Sequence, residues 1–133
     1  MELYQRIENY FQHTDSRGSI TGLINTGTWR ELNLIVSDAN AIRGGHYHKL
    51  TEECFLILTG SVLVKFRRPL VHGQDIKEDV LFNAGDVFLV HPFVEHTFEV
   101  QEKASWINLL SSPMDTEYPD FFKYTSEVVC DEF

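Results

Sequence analysis

Short apolar stretches separated by turn residues run through most of the chain. Residues 54–58 and 62–66 flank Thr59-Gly60-Ser61, which predicts two strands joined by a hairpin. Helical periodicity is weak between residues 14 and 112, so only residues 3–11 and 119–124 have room for short helices. Seven or more short strands with frequent turns predict an all-β sandwich, barrel or jelly roll. The other predicted strands are 20–24, 29–36, 80–82, 87–90, 97–100 and 105–110.

The length and the even distribution of strands predict one domain over residues 1–133. Its core is expected at about 14–112, followed by a tail at 113–133. Hydrophobic residues make up 43% of the chain and aromatic residues 13%, which is enough apolar surface for one continuous core. Polar residues, Pro and Gly cluster at 67–75, so this segment is predicted as the longest loop.

The charge balance excludes some partners. Asp and Glu outnumber Lys and Arg by 20 to 11, and the resulting net charge of −9 argues against nucleic acid as a partner. A local basic pocket for a small phosphorylated ligand remains open. No apolar run approaches the ~18 residues that span a bilayer, and the first residues lack an export signal. We therefore expect a cytoplasmic protein without membrane contact, in which Cys54 and Cys130 are unpaired thiols.

Three of the six histidines have a spacing with chemical meaning. His46 and His48 flank Tyr47, so on an extended strand they point to one face, about 6.5–7 Å apart. Glu53 opens the next apolar stretch, and His96 follows 43 residues later. Three imidazoles and one carboxylate suit zinc, iron, manganese, nickel or copper. Spacing alone does not establish that these four side chains meet.

Two segments resemble the motifs of the cupin family. Gly44-Gly45-His46-Tyr47-His48-Lys49-Leu50-Thr51-Glu52-Glu53, followed by Gly60, is similar to the first motif, with H-x-H, a glutamate and a closing glycine. Gly85 to His96 keeps the eleven-residue interval of the second motif. The resemblance implies a double-sheet jelly roll, the cupin barrel, with short terminal helical or extended segments. It also implies that His46, His48, Glu53 and His96 bind a divalent metal (zinc, or iron, manganese or nickel), with no nucleotide cofactor.

A narrower resemblance concerns enzymes of nucleotide-linked sugars. The D-x-R-G opening at 15–18 and the segment 43–49 are similar to the sugar-nucleotide 3,4-ketoisomerases. The C-terminal cupin domain of bifunctional capsular-polysaccharide UDP-sugar reductases shares H-Y-H, the glutamate at Glu53 and a stretch like Lys65-Phe66-Arg67. Ketoisomerases generally carry glutamine at the Glu53 position and work without metal. Glu53 therefore favours a metal-containing, capsule-type domain.

These resemblances imply an isomerase or epimerase that acts on a nucleotide-linked 4-keto-6-deoxy sugar in surface-polysaccharide biosynthesis. Such chemistry moves a proton next to the keto group, for which His46, His48 and His91 are the candidates. The cations expected to bind the diphosphate of the substrate are Arg17, Arg43, Lys65 and Arg67. A homodimer is expected, because small jelly rolls leave sheet edges to cover and cupins commonly pair through them.

Two other functions fit the same residues. One is a metal-dependent cupin oxygenase that uses Fe(II) on a small organic substrate. The other is a non-catalytic cupin module that binds a sugar. Individual residues also have structural interpretations: Arg17 as an anchor of the turn at Asp15, Lys65 and Arg67 as a solvated strand face, and His91 as a rim residue. Tyr47 alternates with the two histidines and is expected to face away from their cavity.

Overall fold

Nine strands and no helix make up the part of the chain that the structure, a computed structural model, describes: residues 2–69 and 73–124. His72 and Cys130 lie outside these residues. The strands are β1 (Tyr4–Ile7), β2 (Phe11–Asp15), β3 (Gly18–Gly22), β4 (Glu31–Ser37), β5 (Ile42–His46), β6 (Glu53–Arg68), β7 (Ile76–Asn83), β8 (Val87–Val90) and β9 (Glu95–Leu110).

Two antiparallel strands of 16 residues each, β6 and β9, run through both halves of the jelly roll, so that seven strands form one continuous hydrogen-bonded sheet. The first half of β6 lies between β8 and the second half of β9, which gives the order β1-β8-β6-β9-β4. The second half of β6 pairs with β7, and the first half of β9 pairs with β5. Strands β2 and β3 form a separate hairpin. This arrangement confirms the predicted all-β, double-sheet jelly roll.

The hairpin predicted at Thr59-Gly60-Ser61 is wrong, because β6 runs through these residues without reversing. Its register against β9 shifts between Ile57 and Val62, which marks β-bulges that bend the strand. Gly60 has a φ of +80°, and a Cβ there would lie 2.8 Å from the Cα of Ala104 on β9. Glycine is a signal for turns and for strand bulges alike, so the sequence alone favoured the more common interpretation. The predicted strands 97–100 and 105–110 are likewise parts of β9.

The sequence left room for short helices at 3–11 and 119–124, but neither described segment contains one. Residues 3–11 include strand β1, and residues 119–124 are irregular. Strand β1 pairs with the edge of β8 and brings Tyr4 onto the ring of Phe66, with 4.8 Å between centroids. Residue Phe122 forms an isolated bridge with Tyr47. Of the predicted loop 67–75, Arg67 and Arg68 belong instead to β6, and residues 70–72 lie outside the described residues.

The core lies between the two sheets and is rich in aromatic side chains. Phe82 stacks on Phe88 at 3.9 Å between centroids, and Phe98 stacks on Trp106 at 5.1 Å. The alternation of β9 sends one side of the strand into this core, and that side includes two polar residues, His96 and Asn108, both buried. The interior of the barrel is therefore partly polar.

Cys54 is buried and forms no disulfide with any described residue. Burial raises the pKa of its thiol to about 12, which keeps it protonated. No helix long and apolar enough to cross a membrane occurs in residues 2–69 or 73–124.

Candidate functional site

The four predicted metal ligands come together inside the barrel. His46 ends β5 and lies opposite His96 of β9, after a bulge that follows Gly44. Glu53 begins β6, so residues 47–52 connect the H-x-H pair to the carboxylate. One ligand atom from each of His46, His48, Glu53 and His96 lies within 4.8 Å of the others, and all four side chains are buried. Residues fifty positions apart in sequence thus form one polar cluster.

The atoms at the centre of this cluster lack hydrogen bonds to the described residues. Glu53 Oε1 is 2.9 Å from His96 Nε2 and in close contact with His48 Nε2. None of these three atoms makes a hydrogen bond of acceptable geometry with any described residue, although each is inaccessible to solvent. Buried polar atoms are normally satisfied, so an unsatisfied group of this kind needs a partner. A divalent cation would satisfy all three at once, and the donor set is one that such cations prefer.

The outer nitrogens of two histidines are fixed by backbone carbonyls. His96 Nδ1 donates to the carbonyl of Val94 at 3.0 Å, and His48 Nδ1 donates to the carbonyl of Asp120 at 2.5 Å. A carbonyl only accepts, so Nδ1 carries a proton, and in the neutral ring Nε2 then presents its lone pair to the centre of the cluster. This is the arrangement that orients histidine ligands in metal sites.

The charges of the cluster also fit a cation. Burial, reinforced by His96, lowers the pKa of His46 to about 3, which keeps this ring neutral. Burial acts to raise the pKa of Glu53, but His96 and His48 outweigh it and hold this pKa well below its usual range. Burial opposes protonation of His48, yet its contacts with Glu53 and the Asp120 carbonyl raise its pKa. The Glu53 carboxylate is therefore buried and ionised, and a buried charge of this kind needs a positive charge beside it.

A cleft of about 260 Å³ reaches the cluster. Its lining is mainly apolar, and its few polar groups belong to Arg43 and to residues of the cluster, as is usual for sites that bind small molecules. The Arg43 guanidinium donates to Ser37 Oγ at 2.5 Å and to the carbonyl of Val36 at 3.3 Å. The lining residues are Ile35, Arg43, Gly44, His46, Glu53, Phe55, His96, Phe98 and Trp106.

The other predicted site residues do not line this cleft. Arg17 lies in the turn between β2 and β3 and pairs with Asp15 at 2.7 Å. Lys65 pairs with Glu99 at 2.9 Å. Arg67 pairs with Glu95 at 3.1 Å and with Asp75 at 3.2 Å. His91, which is more than a third exposed, lies 3.9 Å from Glu52. Their roles in binding or proton transfer stay predictions.

Two residues that the sequence analysis did not assign to the site, Asn108 and Asp120, contact the cluster directly. Asn108 donates from Nδ2 to Glu53 Oε2 at 2.6 Å. Asn108 alternates with Trp106 and Leu110 on the buried side of β9. A polar residue at a position where the alternation predicts an apolar one was the sequence signal that could have identified it. The carboxylate of Asp120 accepts four hydrogen bonds from residues 49–51, and its carbonyl binds His48. No sequence pattern links position 120 to the histidine pair.

Tyr47 turns away from the cluster, as the alternation predicts, and its ring stacks on Tyr124 with 4.0 Å between centroids. A second pocket, with about 620 Å³ of empty space, is lined by His48 of the cluster and by Asp120. The remaining lining is formed by Leu50, Thr51, Leu110, Ser112, Pro113, Met114, Asp115 and Tyr118.

Comparison with known proteins gives the chain a family context. The model of the polysaccharide biosynthesis C-terminal domain family matches residues 13–113. A UDP-2-acetamido-2,6-beta-L-arabino-hexul-4-ose reductase from Pseudomonas aeruginosa is 33% identical over 58 residues, which are 44% of this chain and 16% of that protein's length. The chain thus matches only a small part of that relative.

Solved structures share the fold. A TDP-quinovose 3,4-ketoisomerase from Campylobacter jejuni superposes with a TM-score of 0.76 at 18% identity, covering 92% of this chain and 94% of the other. A mutant 3,4-ketoisomerase from Thermoanaerobacterium thermosaccharolyticum, in complex with TDP-4-keto-6-deoxyglucose, gives 0.72 at 20% identity, covering 92% and 88%. The fold is therefore the cupin jelly roll of these proteins.

Proposed function

This chain belongs to the polysaccharide biosynthesis C-terminal domain family, and on that basis we propose that it is an isomerase or epimerase of a nucleotide-linked 4-keto-6-deoxy sugar. The observation that carries the proposal is the buried cluster of His46, His48, Glu53 and His96, reached by a cleft of about 260 Å³. A structural neighbour with the same fold binds TDP-4-keto-6-deoxyglucose. We propose that residues 1–133 act as one domain, with the core at about 14–112 and the tail at 113–133.

The four residues of the cluster would hold a divalent metal, with zinc as the first candidate and iron, manganese or nickel as the others. When bound, such an ion polarises a carbonyl and stabilises the negative charge that develops on its oxygen. With the inward nitrogens of the cluster engaged, His91 is the predicted proton-transfer group that remains free for the substrate. In a metal-free site His46 and His48 would take that role.

Arg43 is the first candidate to bind the diphosphate, because it lies in the cleft wall beside the cluster. Its planar guanidinium can make two parallel hydrogen bonds to a phosphate, which a lysine cannot. Arg17, Lys65 and Arg67 each pair with a carboxylate in the structure and would exchange that partner for the substrate. The apolar cleft wall, with Phe55, Phe98 and Trp106, would exclude water from the reacting carbons.

Hydrogen exchange tests this function directly. The protein is incubated in deuterated water with TDP- and UDP-linked 4-keto-6-deoxy sugars, and deuterium at carbons 3 and 5 is measured by NMR. Incorporation is expected, and Arg43→Ala should reduce it, whereas the exposed Lys77→Ala serves as a matched loss of charge and should not. Absence of incorporation with both sugars would refute the proposal, and abundant bound iron in the same preparation would favour the oxygenase.

A homodimer belongs to the same proposal. Strand β4 is paired only with β9 among the described strands, and its outward side chains Leu32, Leu34 and Val36 are 61%, 62% and 56% exposed. Three apolar side chains in alternate positions on an edge strand favour association. Analytical ultracentrifugation at micromolar concentration tests it, and a monomer would contradict it.

A further inference from the structure

A chain of hydrogen bonds runs from the candidate metal cluster across β9 to the edge strand β4. Asn108 donates to Glu53 Oε2 at 2.6 Å, and its own Oδ1 accepts from Asn33 Nδ2 at 3.2 Å. Asn33 Nδ2 also donates to Glu31 Oε2 at 2.9 Å. The register of the sheet accounts for the contact, because Asn33 lies directly opposite Asn108. Asn108 is completely buried, and Asn33 and Glu31 are partly buried.

The two ends of this chain determine which way both amides point. A carboxylate only accepts hydrogen bonds, and Glu31 accepts from the backbone N–H of Met114 with one oxygen and from Asn33 with the other. Asn33 must therefore direct its NH₂ group towards Glu31 and Asn108. Asn108 then accepts with Oδ1, so its NH₂ group faces Glu53. The last hydrogen bond therefore has the same direction from both ends, because Glu53 can only accept it and because Glu31 and Asn33 on β4 hold the Asn108 amide with its NH₂ group towards Glu53.

We infer that Asn108 is a positioning residue for the metal ligand Glu53, and that Glu31 and Asn33 fix its orientation. A carboxylate ligand has two equivalent oxygens and can turn about its last torsion. The bond from Asn108 occupies Oε2, so that Oε1 is the oxygen directed at His48 and His96. Partners that hold ligands in this way commonly affect metal affinity by 10–100-fold. The inference rests on the metal site of the proposed function.

Substitutions that keep shape but reverse hydrogen-bond direction test this inference. Asn108→Asp places a second carboxylate where an N–H now meets Glu53. Asn33→Asp leaves Asn108 in place but presents only acceptors to it, so the Asn108 amide should turn its oxygen towards Glu53. Asn33→Ala removes the anchor without opposing the native orientation. Asn83→Asp, at an exposed position of β7, controls for one added negative charge.

The readouts are zinc affinity, from competition with a chelator, and the visible absorption spectrum of the cobalt-substituted protein. We expect Asn108→Asp to weaken zinc binding by about 10–100-fold and Asn33→Asp by roughly tenfold, both with an altered cobalt spectrum. Asn83→Asp should stay within about twofold of the unmodified protein. Asn33→Ala should lose less affinity than Asn33→Asp, because it removes an anchor of Asn108 without reversing a bond to Glu53. Urea unfolding of the metal-free proteins separates these effects from a loss of stability.

Each outcome decides the matter. Equal zinc affinity of Asn108→Asp and the unmodified protein would overturn the inference while leaving the metal site intact. So would an equal loss in Asn33→Ala and Asn33→Asp, because bond direction would then be irrelevant. If Asn108→Asp does not fold, Asn33→Asp carries the test from a partly buried position. An unmodified protein that binds no divalent metal would instead refute the metal site itself, and this inference with it.

Discussion

The bend of β6 at Gly60 gives the sharpest prediction about stability. This residue has a φ of +80°, a conformation that costs an L-amino acid about 1–2 kcal/mol. A Cβ at Gly60 would also meet the backbone of β9, lying 2.8 Å from the Cα of Ala104 and closer still to the carbonyl of Lys103. Backbone atoms of a paired strand cannot move aside as the end of a flexible side chain can. Gly60→Ala therefore combines backbone strain with a steric clash.

A second glycine separates the two effects. Gly85 also has a positive φ, +94°, but a Cβ there would meet nothing within 4 Å. Gly85→Ala is expected to cost about 1 kcal/mol, from backbone strain alone. Gly60→Ala adds an overpacking term of about 1–3 kcal/mol and should cost roughly 2–4 kcal/mol in total. That is a large fraction of the about 5–15 kcal/mol that stabilises a typical domain.

Urea unfolding followed by tryptophan fluorescence measures both values, since Trp106 is 1% exposed and reports on the opening of the core. The midpoint should fall for both variants while the slope stays constant, and the loss for Gly60→Ala should be at least twice that for Gly85→Ala. Equal losses would refute the steric part of the reasoning. A Gly60→Ala protein as stable as the unmodified one would show that β6 does not bend against β9 as described.

Three further predictions concern the site. Asp120→Asn leaves only one of the two acceptor oxygens that receive four hydrogen bonds from residues 49–51. We expect it to lower the free energy of unfolding, measured by thermal denaturation, by about 1–3 kcal/mol. An unchanged free energy would contradict this role of the tail. Removal of metal with a chelator should lower the midpoint of thermal unfolding. Zinc at a hundred times its Kd should then raise the free energy of unfolding by about 2.7 kcal/mol. A midpoint that responds to neither treatment would argue against the metal site. Arg43→Lys keeps the positive charge but cannot make two parallel hydrogen bonds to a phosphate. The Kd for TDP, measured by calorimetry, should therefore rise about tenfold. An unchanged Kd would show that Arg43 does not bind the diphosphate.

The sequence predicted the four residues of the candidate metal cluster, because each of them belongs to a pattern that can be recognised along the chain. The alternation around Tyr47 places His46 and His48 on one face, and the structure has both rings in the cluster while Tyr47 stacks on the tail. Glu53 and His96 followed from the resemblance to the two cupin motifs, whose intervals fix their positions in the barrel. Gly60 belonged to the same motif, and its φ and close approach to β9 give the physical reason for a glycine there.

The residues that hold the cluster in place, Asn108 and Asp120, belong to no pattern of this kind. Asn108 reaches Glu53 across 55 positions of sequence, and their meeting depends on the register of β6 against β9. Asp120 contacts residues 49–51 because the tail folds back beside them, which no periodicity encodes. The predicted cations Lys65 and Arg67 carry the right charge, but each has a carboxylate partner, Glu99 or Glu95, that only the folded chain brings near. The pair of Arg17 with Asp15 is local, and the sequence offered it as one interpretation.

The sequence by itself thus determined the strand-rich architecture and the four side chains able to bind a metal, because alternation and motif intervals act over a few residues. The tertiary structure decided how β6 bends, which polar groups orient the ligands and which cation lines the cleft. Those outcomes depend on the register and packing of strands that are distant in the chain, and hydrogen bonds across that distance exist only after the sheets have formed.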